Sequence, residues 1–277
     1  MNFEDFARIH GLIINHVVMN KSIRVPTEDK PKKTNGSYKF LGDVGFVMNF
    51  ATMDKPAVWF EKDINTLKAK PKNDINKLWN ALSDIENNVK KDKASAKAGW
   101  IMKQTKLDTH PYLIKKGFPN ETGHVWMKDG EPLLVIPMSI DRRLVGCQLI
   151  QSNGDKKFLY GQTTKNAVLT LDAKGTPFFC EGYATALSVR QVLKASNIKY
   201  CIYVCFSASN MKLIAGSIKG GLVIADNDTN GIGEKTAINI GKRYWMSETI
   251  GQDFNDFHIL NGDFKASQEL KKALYGL

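Results

Sequence analysis

From residue 176 to the end of the chain, short apolar runs alternate with segments of helical period. The order is PFFCEG, YATALSVRQVLKAS, YCIYVCF, NMKLIAGSIK, GLVIAD and EKTAINIGKRYW. Each apolar run has the length of a strand rather than of a helix, and each is followed by a stretch that repeats every three to four residues. Parallel strands need a crossover of a dozen or more residues, which a helix supplies. A strand–helix alternation repeated in this way therefore predicts a mostly parallel sheet flanked by helices, an α/β fold, over 176–277. It also predicts a single helix over EKTAINIGKRYW.

Two of these strands end in acids. GLVIAD runs into Asp226 and, one residue further, Asp228; PFFCEG ends in Glu181, followed at once by Gly182. Three explanations compete for Asp226 and Asp228. A calcium loop fits at Asp226, Asp228, Asn230 and Gly231. It fails at Gly233, where an aliphatic belongs, and at Ala237, where a bidentate Glu belongs. A plain turn would use Asp228 or Thr229 as a helix cap. A magnesium site would use the carboxyl ends of parallel strands, where open α/β sheets place their ligands. Like charges this close are costly unless a cation joins them. Glu181 favours the third explanation, because a neighbouring parallel strand would carry it to the same edge. GQDFNDFH adds Asp253 and Asp256 after a further turn.

Upstream, the chain changes character three times, predicting four regions. Residues 1–60 form a small basic β-rich module, opened by a short amphipathic helix in residues 1–20 that stops near Gly11, with Phe3, Phe6, Ile9 and Leu12 on one side. Pro26, Pro31 and an Asn35-Gly36 turn punctuate its strands. Residues 61–105 are Lys- and Ala-rich, with Leu67, Ile75, Leu78, Leu82, Ile85 and Val89 at helical spacing, a charged helical segment or linker. Residues 106–175 form an α+β part. There EPLLVIPMSIDRRLVGCQLIQSNGDKKFLYG reads as three strands turning at Ser139–Asp141 and Asn153–Gly154. Residues 176–277 are the α/β domain.

A net charge of +11 and a pI of about 9.3 suit a polyanionic partner. The lysines are dense in KPKKTNGSYK and between Lys62 and Lys116, so the acids after residue 221 stand out against a basic background. The four cysteines form no C-x-x-C pair, indicating neither zinc nor a disulfide. No apolar run approaches the ~20 residues of a membrane span, and MNFEDFARIHG lacks a signal-peptide core, so a cytoplasmic location is expected. Trp59 beside basic residues could stack a base, although packing is the ordinary role of the tryptophans.

The order of motifs CEGYATALSV, FSASNM, IADNDTNGIGEKTA and GQDFNDFH resembles the Toprim domain. Together with HPYLIKKGF, LLVIPM and GCQLIQSNGDKKFLYG, it is similar to the primases of phages and plasmids. The resemblance covers most of the chain, least between about 60 and 105. It implies a DNA primase, a nucleotidyltransferase that makes short RNA primers on single-stranded DNA from ribonucleoside triphosphates in a bacterial host cell, working with a separate replicative helicase. It implies Mg²⁺ (or Mn²⁺) on Glu181, Asp226 and Asp228, the catalytic set, with Asp253 and Asp256 as outer acids. Thr185 stands where a further acid occurs in relatives. Lys157 matches a basic residue that faces nucleotide or primer phosphate; Lys156 and Arg143 are grouped with it, and Gln148 replaces an Arg. IRVPTEDKPKKTNGSYKF resembles the leader of those primases. Without a Cys/His cluster it reads as a zinc-ribbon-like module lacking metal, so Lys30, Lys32 and Lys33 become the candidate DNA contacts. No G-x-x-x-x-G-K-[ST] motor motif is present. A Toprim nuclease and a non-catalytic single-strand-binding adaptor are the alternatives.

Overall fold

A computed structural model of the chain describes residues 1–54, 56–61, 72–229 and 231–276; for residues 72–86, 89 and 173 it describes the backbone alone. The chain divides into two compact units, Met1–Leu82 and Ser83–Leu277. No described helix is long and apolar enough to cross a membrane.

The first unit contains α1 (Phe3–Ile9), β1 (Ser22–Val25), β2 (Gly36–Phe40), β3 (Val44–Asn49) and β4 (Ala57–Phe60), the strands forming one antiparallel sheet in sequence order. Asn2 caps α1, its Oδ1 accepting from the Asp5 amide at 2.8 Å. The helix ends at Ile9 with His10 as its C-cap, so it stops just before Gly11 as expected. Phe3 and Ala7 are buried and Leu12 is buried beyond its end, but Ile9 is exposed. Phe3 stacks on Phe40 at 4.8 Å and meets Trp59 edge-on at 5.7 Å. Trp59 is buried and its Nε1 donates to the Met1 carbonyl, so it is a packing residue and not a base-stacking platform. Gly36 is not a hairpin turn: it pairs with Val25 and Asn49 inside the sheet. The connection from β1 to β2 is the exposed turn-rich stretch that carries Lys30, Lys32 and Lys33.

A long helix, α2 (Lys72–Gln104), follows. Leu67 lies outside the described residues, as do the side chains of Ile75, Leu78, Leu82, Ile85 and Val89. The second unit continues with β5 (Lys106–Asp108), α3 (Pro111–Lys115), β6 (Gly123–Lys128), β7 (Glu131–Ile140), β8 (Arg143–Ile150), β9 (Lys156–Phe158), β10 (Leu169–Ala173), β11 (Thr176–Cys180), α4 (Tyr183–Ala195), β12 (Tyr200–Val204), α5 (Ala208–Ser217), β13 (Leu222–Ala225), α6 (Ile232–Ile240), β14 (Tyr244–Met246) and α7 (Phe254–Tyr275).

Strands β5 to β9 form an antiparallel sheet in sequence order. Its hairpin β7–β8 turns at Asp141–Arg142, both with positive φ, the geometry whose twist matches that of the strands. Alternation gives the sheet two buried faces. Leu134, Ile136 and Ile150 join the main core with Tyr112 and Leu113. Val135, Cys147 and Leu159 pack with Ala94, Ala98 and Ile101 of α2.

The other sheet of this unit has the order β10-β12-β11-β13-β14. Strands β12, β11, β13 and β14 are mutually parallel, and β10 is an antiparallel edge. Phe178, Cys180, Ile202, Val204, Leu222 and Ile224 point to the side covered by α4 and α7. Phe179, Cys205, Val223 and Ala225 point to the side covered by Met211 and Ala215 of α5 and Ala237 of α6. Sheets buried on both faces read as continuous apolar runs, and these strands do. The helix expected over EKTAINIGKRYW is cut in two: α6 stops at Gly241, and Tyr244–Met246 becomes the edge strand β14 beside β13. Its bulky residues suit a pleated, half-buried surface better than a helix end. The four cysteines are free and buried.

Candidate functional site

Parallel pairing aligns Cys180 with Ile224 of β13 and with Val204 of β12. The chain therefore leaves β11 as Glu181 and β13 as Asp226 at one edge, on strands spaced by about 4.8 Å. The turns are held by backbone: the Phe206 amide donates to the Glu181 carbonyl at 2.8 Å. At Gly233, in the first turn of α6, a Cβ would overlap the Asp226 carbonyl. Asp228 is exposed. Neither it nor Thr229 caps α6, whose N-cap is Gly231.

Asp253 reaches the same edge because the loop after β14 is fastened to the end of β13. Asn227 donates from Nδ2 to the Ser247 carbonyl, and the Gly251 amide donates to the Asn227 carbonyl. One oxygen of Asp253 caps α7, accepting from the Asp256 amide at 2.8 Å. Its other oxygen lies 3.9 Å from Lys116 Nζ, which is 3.3 Å from Asp256. Buried Asn255 donates to the Lys116 carbonyl and to Ser188 Oγ, tying α7 to the end of α3 and to α4. The His258 ring links Ser188 to Asp263 at 3.0 and 2.6 Å. Ser188 is fully buried, so this network fastens helices rather than presenting a nucleophile.

The antiparallel sheet supplies the opposite charge. In β8–β9, Gln148 pairs with Phe158 and Ile150 with Lys156, which puts these four on the face toward the parallel sheet; Leu149 and Lys157 are on the other face. Lys156, not Lys157, thus reaches the acids. Arg143 lies at the far end of β8, about 17 Å along the strand from Gln148 at ~3.4 Å per residue.

These groups line a cavity of about 180 Å³, with Tyr112, Lys116, Gln148, Lys156, Glu181 and Asp226 in its wall. Thr185, Phe206 and Asp253 also line it; Asp228, Asp256, Lys157 and Arg143 do not border it. A larger hollow of about 700 Å³ between β14 and α7, bordered by Trp245, Leu260 and Lys265, holds none of these acids and no buried polar atom without a partner. The chemistry is concentrated in the smaller cavity.

Burial, with Glu181, Asp253 and Asp228 nearby, pushes the Asp226 carboxyl up to about 7, against an opposing pull from Lys156. Burial and then Asp228 raise Glu181, again opposed by Lys156. Asp226 Oδ1 is buried without a hydrogen-bond partner. A buried carboxylate oxygen with no donor is the condition a cation relieves. Among the described residues, however, no three Asp, Glu, His or Cys side chains are gathered closely enough to hold a metal ion as they stand. Of the three acids, Glu181 and Asp226 present carboxyl groups to the cavity, and exposed Asp228 lies outside its wall.

Tyr112 and Lys116 are cavity residues that motif spacing did not single out. Both lie in HPYLIKKGF, whose strand and helix periods carry no mark of a site; only the clustering of a Tyr with Lys before a Gly could have drawn attention to them. His110 caps α3, its Nδ1 accepting from the Tyr112 amide and its Nε2 donating to the Pro132 carbonyl. It acts as a fastener.

No protein-family model matches the chain, and no curated protein matches it. Among solved structures it is similar to a chain of the bacteriophage T7 lagging-strand DNA polymerase complex with primase domains of two gp4 subunits bound to an RNA/DNA hybrid and dTTP. The identity is 14%, the TM-score 0.42, and the match covers 59% of this chain and 84% of that one. Likeness at this level leaves the function of the chain to rest on the cavity itself.

Proposed function

We propose that this chain is a Mg²⁺- or Mn²⁺-dependent DNA primase of the Toprim type, making short RNA primers on single-stranded DNA in phage or plasmid replication. One observation carries it. Two acids at the ends of adjacent parallel strands, Glu181 and Asp226, share a small cavity with Lys116 and Lys156. Such a site can take a metal and a phosphate together and has little room for anything apolar.

In this proposal Glu181 and Asp226 would hold the cation, with Asp228 as a further acidic ligand from the neighbouring loop. When bound, the cation supplies the positive charge that receives the triphosphate and favours the ionised primer hydroxyl. Lys156 approaches phosphate oxygens from the antiparallel sheet. Lys116, held by Asp253 and Asp256, adds a second charge whose position is set by α7. Lys30, Lys32 and Lys33, exposed on one turn-rich strip, contact template phosphates, and a separate helicase delivers the strand.

The test is primer synthesis on single-stranded DNA with ribonucleoside triphosphates and partner helicase, run beside strand binding. Asp226→Asn and Asp228→Asn should each lower synthesis by roughly 100-fold or more, the scale of a lost transition-state electrostatic contact, with binding intact. The Lys30, Lys32, Lys33→Ala variant should do the reverse, flattening the salt dependence of binding by about 2 units at ~0.7 per single-strand phosphate. Strand cutting without nucleotides would make the chain a nuclease. Absence of product, with binding indifferent to Mg²⁺ and to Asp226→Ala, would make it an adaptor.

A further inference from the structure

Tyr112 is only 3% exposed, yet its hydroxyl has no hydrogen-bond partner in the protein. A buried hydroxyl left unpaired is costly, and such groups call for an explanation. Tyr112 lines the same cavity as Asp226, whose Oδ1 is likewise buried without a partner. The two are opposite in kind. A carboxylate oxygen accepts hydrogen bonds or binds a cation, whereas a phenol can donate. Burial pushes the phenol above its usual range, with Asp253 reinforcing the shift, so it keeps its proton at working pH. Nor is the ring free to turn away: the His110 cap fixes α3, and Lys156 Nζ sits 5.9 Å from the ring centroid.

A cavity that holds an unpaired acceptor and an unpaired donor residue, with Lys116 and Lys156 also in its wall, matches a metal-bound phosphate. Its volume narrows the class. About 180 Å³ is below the ~300–1,000 Å³ that encloses a whole drug-sized ligand, so it takes a polyphosphate tail and leaves a base and sugar outside. We infer that Tyr112 is a ligand-binding residue of this cavity, its hydroxyl donating to a phosphate oxygen of a metal-bound polyphosphate. The inference rests on the primase proposal for the site and adds a donor to it.

The experiment is titration of the full chain with magnesium tripolyphosphate, wild type against Tyr112→Phe, beside thermal and denaturant unfolding without ligand. Phe keeps the ring under Lys156 and removes only the hydroxyl. Expected are a dissociation constant raised about 10- to 100-fold, the range for a hydrogen bond to a charged group, and an unliganded variant as stable as wild type or slightly more so. Equal affinities overturn the role of Tyr112 while leaving the cavity a polyphosphate site. No binding by wild type overturns both. A Tyr112→Phe chain that is clearly less stable than wild type without ligand overturns the inference whatever its affinity, because the hydroxyl would then have a partner within the fold.

Discussion

The two sheets of the second unit contribute to one cavity by different geometric rules. The parallel sheet contributes strand ends. Glu181 and Asp226 are where they are because β11 and β13 run the same way and are in register at Cys180 and Ile224. The antiparallel sheet contributes a strand face. Lys156 and Gln148 face the acids because of their parity along β9 and β8, and a shift of one residue would present Leu149 and Lys157 instead. A site built on ends tolerates sequence change along a strand but not at its terminus. A site built on a face depends on register throughout.

The largest effect that tests this contrast is a pair of single substitutions. Lys156→Ala should weaken nucleoside triphosphate binding by about 10- to 100-fold, as expected when a charge-assisted contact is removed. Lys157→Ala, on the opposite face, should change it less than about twofold. Titration of the two variants decides between them. Equal losses would mean that β9 does not hold the register that puts Lys156 at the cavity.

This pair also marks where the sequence stops being legible. The acids could be found because a strand end is a sequence event: an apolar run stops, an acid follows, and a helix begins. Glu181, Asp226 and the parallel sheet around them were readable on that basis. The parity of adjacent lysines in a three-residue strand such as β9 has no counterpart in composition or period, and resemblance grouped Lys157 with Lys156 without separating them. The break in EKTAINIGKRYW was hidden for a related reason. Ile232 to Ile240 has helical period, and only Gly241 signals that Tyr244–Met246 is released to pair with β13. Tyr112 was invisible because its distinguishing feature is a missing partner, which exists only in three dimensions.

A second pair of substitutions compares what the chain needs at the two kinds of turn. At Gly233→Ala the new methyl meets the Asp226 carbonyl, so the strand end must shift. The expected cost is about 1–3 kcal/mol, as for other overpacked sites, with loss of metal-dependent nucleotide binding. At Gly130→Ala, in the β6–β7 hairpin, nothing lies within 4 Å of the added carbon and only φ of +83° opposes it. The cost there should be ~1 kcal/mol, with binding unchanged. Denaturant unfolding and titration of both variants read the difference. A binding-competent Gly233→Ala protein would show that the carboxyl edge does not depend on the close approach of α6.

The last expected effect is a pH dependence of stability in protein freed of metal by a chelator. The Asp226 carboxyl is raised from 3.8 to about 7 in the fold. Between those values the folded chain keeps a proton that the unfolded chain has released. When the folded state binds more protons, stability falls as pH rises. Wild type should therefore lose stability from about pH 4 to 7 and level off above, whereas Asp226→Asn lacks this component, so the gap between the two should open across that window. Glu181, raised in the same direction, is common to both and leaves a residual slope in the variant. Lys156 provides the link to the antiparallel sheet. It lowers the Asp226 value, so Lys156→Ala should carry the midpoint of the loss to higher pH, and Lys157→Ala should leave it in place. Mg²⁺ added at pH 8 should restore wild type more than Asp226→Asn, because it neutralises the charge that the fold disfavours. Parallel stability profiles for wild type and Asp226→Asn from pH 4 to 8 would show that Asp226 ionises freely in the fold, and that the two sheets do not act on a common charge.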